Sequence, residues 1–259
     1  MTKKKVLHII NLGMNGKAVF LCNVLEQTNF SKYDITILNF WGKTADPIAK
    51  RLEGLPIRIV VNRRKCGFMA FLSELKQLLK TEKFDVVHSH MWELTGIFLG
   101  YAKWYGVPVR VAHSHNSQKV AGRYNPIKEF IRDKVVWNIL KKAIELNANW
   151  YFACSNLAVN WLYTSKVTNG VKIINNCINL DVFKPLPNKV KGRNLLFVGR
   201  FIYQKNPIFL IEVFAEYCKL HDDARLTCVG DGVMRQECIQ YAKDNGIFNK
   251  IQFIDKDSE

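Results

Sequence analysis

The feature that most narrows the fold is a repeated alternation. Short β-branched runs recur at residues 6–11, 34–40, 57–62, 85–90, 109–115, 150–155 and 171–176. Segments with helical spacing of apolar residues lie between most of them, at 18–27, 68–80, 94–105, 126–147 and 156–164. Many of the strand-like runs are continuously apolar rather than alternating, which is the pattern of strands covered on both faces. Strands of that kind separated by helices specify a parallel sheet with helices on both sides. With 48% hydrophobic residues in 259, the chain has ample core material, so disorder and a small disulfide scaffold are excluded.

The alternation pauses after Asp181. Residues 183–192 hold Pro185, Pro187 and Gly192 among charges and read as an interdomain linker. The pattern then restarts, with strands at 194–199, 225–230 and 250–254 and helices at 207–220 and 233–245. Three strands and two helices make half of a doubly wound sheet. The expected organisation is therefore a first domain over 1–184, a linker over 185–193 and an incomplete second domain over 194–259.

Charge follows the same division. Up to Lys184 there are 27 basic and 12 acidic residues, a net +15; from Pro185 there are 11 and 10, a net +1. A basic first domain attracts anions, whether nucleic acid, phosphorylated substrates or anionic lipid. The seven cysteines are odd in number and form no CxxC pair, which argues against a zinc ribbon or a secreted disulfide framework. The apolar run behind Lys3-Lys4-Lys5 is too short for a signal peptide, and no stretch reaches ~18 apolar residues. The expected location is cytoplasmic.

In an open parallel sheet, ligands bind beyond the C-terminal ends of the strands. After the first strand comes Asn11-Leu12-Gly13-Met14-Asn15-Gly16-Lys17, a glycine-containing loop that opens a helix. It is either an anion site at a helix N-terminus or an ordinary turn. Two later strands end in matching phrases, Val87-His88-Ser89-His90 and Ala112-His113-Ser114-His115. Residues i and i+2 share a strand face, so each phrase presents two imidazoles together. One reading is a four-histidine metal site, although carboxylates that would orient such ligands are sparse nearby. Another has His90 and His115, last on their strands, facing a substrate for binding or general-base work. A third is structural burial.

The sharpest signal is Phe197-Val198-Gly199-Arg200, followed by Lys205, Asn206 and Pro207. A buried strand ends in Gly-Arg, and a second cation stands just before a helix that Asn206 could cap and Pro207 could open. Two cations at a helix N-terminus suit a diphosphate. The next strand ends Val229-Gly230-Asp231-Gly232, where glycine would let the backbone approach a ligand.

The phrases VGRFIYQKNPIFLIEVF and VGDGVMRQECIQYAKDNGIFNKIQF resemble the nucleotide-sugar domain of glycosyltransferase family 4. FDVVHSH, VPVRVAHSHN, YFACSNLAVNWLY and VKIINNCINLDVFKP are similar to that family's acceptor domain and hinge, in the same order. AHSHN is most like the bacterial capsule and exopolysaccharide enzymes. The resemblance implies a GT-B fold of two Rossmann-like doubly wound domains, the second incomplete here, and metal-independent sugar transfer with retention. It implies no cofactor beyond a nucleotide-diphosphate-sugar co-substrate. By position, Arg200 and Lys205 would hold the donor diphosphate, Gly230 and Ile254 would lie near the nucleobase, and Gly16 would sit in the loop approaching donor and acceptor. His115 would be the catalytic cleft histidine, with His90 and Asn116 on the acceptor side. Three departures stand out. The family's glycine pair is Asn15-Gly16 with Lys17-Ala18-Val19 in place of an acidic residue. Its Asn-Gly-Ile-Asp hinge is Asn176-Cys177-Ile178-Asn179, and its Glu-x7-Glu segment would fall beyond Glu259.

Arg63-Arg64-Lys65 ahead of an amphipathic helix, and Arg132, Lys134, Lys141 and Lys142 on another, are the pattern of a peripheral enzyme on anionic lipid. A solvated charged face is the plainer reading. A lipid-linked saccharide acceptor at the inner face of the cell membrane would account for the charge; no nucleic-acid module is recognisable. Two rival functions remain open on sequence: a truncated, non-catalytic binding module, and a metal-dependent hydrolase using the two HxH pairs.

Overall fold

The computed structural model describes residues 2–40, 43–61, 67–116, 135–184 and 192–255. They form two compact units, each with its own parallel sheet and its own core.

In the first unit the strands are β1 (Lys4–Ile10), β2 (Tyr33–Asn39), β3 (Ile57–Val61), β4 (Val86–Ser89), β5 (Val109–Ser114), β6 (Trp150–Ala153) and β7 (Lys172–Ile173). They stand in the order β3-β2-β1-β4-β5-β6-β7, every neighbouring pair parallel. The helices are α1 (Gly16–Glu26), α2 (Asp46–Leu52), α3 (Phe68–Thr81), α4 (Thr95–Trp104), α5 (Trp137–Asn147) and α6 (Asn156–Leu162). The last five residues of β1 and of β2 are all buried, as double-sided cover requires. Leu7 and Ile9 pack on one side with Phe71 and Leu75 of α3 and Phe98 of α4. Val6 and Ile10 pack on the other with Leu21 and Leu25 of α1 and Ile48 of α2. The helix α3 meets the sheet through Phe71, Leu72, Leu75, Leu78 and Leu79, one stripe at helical spacing. Gly96 lets α5 close on α4, since a Cβ there would lie 2.7 Å from the Ile144 nitrogen. The order of strands turns back between β1 and β4, so the tips of those two strands flank the switch point where such sheets bind ligands.

The second unit holds β8 (Asn194–Val198), β9 (Arg225–Val229) and β10 (Ile251–Ile254) in the order β10-β9-β8, all parallel, with α7 (Pro207–Leu220) and α8 (Arg235–Asp244). Phe201, Ile211, Phe214, Leu226, Cys228, Met234 and Cys238 form its core.

The α/β class and the parallel sheets agree with the alternation. Three details differ. The expected strand over 171–176 shrinks to the two residues of β7. The short α2, with Pro47 in its first turn, arises where no long apolar period marked a helix. Asn206 does not cap α7 through its side chain: it sits at φ 44°, ψ 56°, because a 3-10 turn over Tyr203–Lys205 runs straight into the helix and the chain must reverse there. Asparagine tolerates that left-handed geometry better than most residues. Pro207 does open the helix. Residues 63–65, 132 and 134, the first part of the helix expected over 126–147, and most of the expected linker (185–191) lie outside the described residues.

Candidate functional site

Five of the six histidines converge on one face of the first sheet. The parallel register sets His8 of β1 opposite His88 of β4. The two-residue period then carries His90 and, on the next strand, His113 and His115 to the same side. The rings pair nitrogen to nitrogen: His8 Nδ1 to His90 Nε2 at 3.2 Å, His90 Nδ1 to His115 Nε2 at 2.8 Å, and His88 Nε2 to His113 Nδ1 at 3.2 Å. Within each strand the rings lie face to face, with centroids 4.2 Å apart for His88 and His90 and 4.0 Å for His113 and His115. Phe20 of α1 covers the far end, its ring 5.4 Å from that of His113 and 5.2 Å from that of His115.

Burial decides the charge of this array. It pushes His8 down to about 4, and His88 and His90 well below the usual histidine range, where neighbouring imidazoles add to the effect. His113 is lowered by burial and then by His115. His115 falls to about 4 through burial and the nearby Lys17 cation, against the neighbouring Asn176 side chain, which works the other way. The cluster is therefore neutral at pH 7, and His115 does not titrate near neutrality as a general base of ordinary pKa would. Neutral imidazoles can bind metal, and two trios, His8/His88/His90 and His90/His113/His115, bring one nitrogen per ring within 4.8 Å of one another. Yet rings stacked face to face aim their in-plane lone pairs side by side, and most of those nitrogens are already paired with each other. The arrangement fits a hydrogen-bonded array better than a coordination sphere.

Lys17 stands at the edge of the array. Its Nζ donates to the His90 carbonyl at 3.1 Å and lies 4.8 Å from the centre of the Trp92 ring. Burial lowers it to about 8, opposed by Glu93. Trp92 is held at φ 51°, an uncommon conformation for its type. The loop before α1 is closed by asparagines: Asn11 Oδ1 accepts from Gly13 N at 2.9 Å, and Asn15 caps the helix by accepting from Ala18 N at 3.0 Å. Gly16 is exposed, with nothing within 4 Å of where a Cβ would stand.

Of the residues singled out in the first unit, His115 lies at the edge of the array and Asn116 follows it, both part-buried. His90, expected to face an acceptor, is fully buried with both ring nitrogens taken by His8 and His115. It can reach a ligand only through His115. His8, Lys17 and Phe20 were not singled out as site residues in the sequence. His8 shares its strand face with Val6 and Ile10 and looks like a core position until the neighbour of β1 is known.

In the second unit the strand tips are tied together. Gly199 N donates to Val229 O at 3.0 Å, Phe201 N to Asp231 O at 2.9 Å, and Gly230 N to Ile254 O at 3.0 Å. Gly230 and Gly232 sit at φ 138° and 153°, and a Cβ on either would strike the carbonyl oxygen of Gly199 or Phe201. Their glycine requirement thus comes from the chain's own backbone. Arg200, just beyond β8, and Lys205, at the end of the 3-10 turn before α7, are exposed, and among the described residues neither forms an ion pair. Two exposed cations in the segment between β8 and α7 make an anion-ready surface.

Two family models match the chain. Residues 180–259 match the model of Glycosyl transferases group 1, and residues 14–182 that of Glycosyltransferase Family 4. The chain is 25% identical over 273 residues to the glycosyltransferase EpsF of Bacillus subtilis, covering 98% of this chain and 68% of that protein. It is 32% identical over 238 residues to the capsular polysaccharide biosynthesis glycosyltransferase CapH of Staphylococcus aureus, covering 88% and 62%. It therefore spans about two thirds of the length of these curated relatives. Anabaena HepE, solved with UDP-glucose, superposes with a TM-score of 0.71 at 15% identity over 98% of this chain and 69% of that one, a likeness that shows the GT-B fold. With more than half of its residues matched by one family model, the chain belongs to glycosyltransferase family 4.

Proposed function

We propose that the chain serves a retaining transferase that moves a sugar from a nucleotide-diphosphate sugar to a saccharide acceptor during synthesis of a cell-surface polysaccharide. The observation that carries this reading is the pair of exposed cations ahead of α7, Arg200 and Lys205, neither of them in an ion pair among the described residues. In the reaction the bond from the anomeric carbon to the diphosphate breaks, and an acceptor hydroxyl oxygen bonds to that carbon. The hydroxyl proton ends on the departing nucleoside diphosphate. The two cations stabilise the charge that collects on that leaving group, the part a divalent metal plays elsewhere. Gly230 and Ile254, at the tips of β9 and β10, border the nucleotide; His115, Asn116 and the loop at Gly16 serve the acceptor and the sugar. The names of CapH and EpsF and the UDP-glucose bound to HepE favour a nucleotide-sugar enzyme of capsule or exopolysaccharide type.

The test is calorimetric titration with UDP and GDP. Binding is expected, weakened roughly 10- to 100-fold by Arg200→Ala or Lys205→Ala, the loss of one charge-assisted phosphate contact. Unchanged affinity in both variants would sink the assignment. Binding without any sugar transfer would favour a binding module.

A lipid-linked acceptor and a membrane-apposed first unit belong to the same proposal. None of the described helices is long and apolar enough to cross a membrane. The outward face of α5 exposes Ile139 and Leu146 with Lys142, which is bound to Glu145 at 2.6 Å, while Lys141 is half-buried and turned toward Asn160. Such a face suits the interface of an anionic bilayer.

A further inference from the structure

We propose that His8, His90 and His115 form a single imidazole chain with coupled tautomers, so that the free nitrogen of His115 changes between donor and acceptor only together with His8, inside β1. The contacts have one direction throughout. His8 Nδ1 meets His90 Nε2, His90 Nδ1 meets His115 Nε2, and His115 Nδ1 is the chain's end, buried and without a partner among the described residues. The ring centroids of the two linked pairs are 5.5 Å and 5.1 Å apart with tilts of 21° and 32°, the spacing of rings meeting edge to edge through nitrogen rather than by their faces.

A neutral imidazole has one N–H and one lone pair. Two arrangements therefore satisfy both contacts: every ring protonated on Nδ1, which leaves His115 a donor at its free end, or every ring protonated on Nε2, which leaves it an acceptor. Changing one ring alone sets two N–H groups, or two lone pairs, against each other across 2.8 or 3.2 Å in a buried site. Burial keeps all three rings uncharged, so no proton is spare to break the pattern. The His88–His113 pair stacks on this chain and fixes its ring planes without joining it. His8 and His90 are thus positioning residues for His115. Their bearing on sugar transfer rests on the reading above, in which His115 meets a ligand; the coupling itself does not.

Long-range proton–nitrogen correlation spectra of protein labelled with 15N-histidine read the tautomer of each ring. His8, His90 and His115 are expected to show the same ratio of Nδ1–H to Nε2–H tautomers at pH 7, with mismatched arrangements roughly tenfold rarer, the population bias of one buried hydrogen bond. Opposite tautomers within the three, or a charged ring among them, would overturn the proposal. In His8→Leu the tautomer ratio of His115 is expected to move several-fold while His88, whose ring lies 5.1 Å from that of His8, and His113 keep their own tautomers. An unmoved ratio would remove His8 from the chain. If that variant does not fold, the wild-type pattern still decides. UDP titration reports on the second unit, so a failure to bind UDP would sink the transferase reading and leave the tautomers untouched.

Discussion

Gly230 follows β9 and Gly16 opens α1, yet the structure asks different things of these two glycines. At Gly230 the left-handed backbone and the adjacent Gly199 carbonyl leave no room for a side chain. Gly230→Ala is expected to cost about 2 kcal/mol or more, read as a lower urea midpoint, because neither backbone segment can yield. Gly16→Ala should change stability by less than ~0.5 kcal/mol, since nothing lies within 4 Å of its Cβ direction. Any loss of ligand binding in that variant would then report on ligand approach. A glycine's presence was legible in the sequence at both positions. Its reason was not, because a backbone carbonyl from another strand supplies it at one site and open space surrounds the other. The same holds for His90: its place at the end of β4 suggests access, but His8 and His115 occupy both of its nitrogens.

Elements were the most legible level, because their signals are local. The apolar stripe of α3 and the continuous runs of β1 and β2 give the helix and strands directly, and Ser155 caps α6 by accepting from Ala158 N at 3.2 Å. Ser155→Ala should cost about 1 kcal/mol in thermal or urea melts. Gly96→Ala should cost more, about 2–3 kcal/mol, because the obstacle is the backbone of α5 and the two helices must separate. An equal or smaller loss than at Ser155 would mean that α4 and α5 shift freely. What failed locally failed for tertiary reasons. β7 is short because only Lys172 and Ile173 find a partner, in β6. Asn206 turns left-handed because a 3-10 turn precedes it.

At the scale of the whole molecule, the neutral histidines make stability depend on pH. A histidine at its ordinary value of about 6.5 in the unfolded chain but near 4 when folded, as for His8 and His115, binds a proton on unfolding as the pH falls between those values. Stability from the cluster is therefore full above about pH 6.5 and is lost as pH falls toward 4. Each such group contributes a slope of about 1.4 kcal/mol per pH unit inside that window. Melting temperatures followed from pH 7.5 to 4.5 should drop steeply, and His8→Leu should flatten the drop; a flat wild-type profile would show that the rings are not buried neutral. Charge is the other global property. Because the net +15 lies in the first 184 residues, binding to anionic vesicles should weaken as salt rises, and should weaken further with Arg63, Arg64 and Lys65 replaced by glutamine. Indifference to both would remove the membrane from the proposal.

The sequence by itself determined the α/β class, the parallel strands, the basic first half and the Gly-Arg-to-Lys segment at the tip of β8, since each is written in residues near one another in the chain. Which strands stand side by side was decided only by the tertiary structure. Parallel strands joined through helices carry no local mark of their order, and β1 meets β4 across some eighty residues. That pairing brings His8 to His88 and His90, turns two separate HxH phrases into one array of five rings, and through burial makes the array neutral.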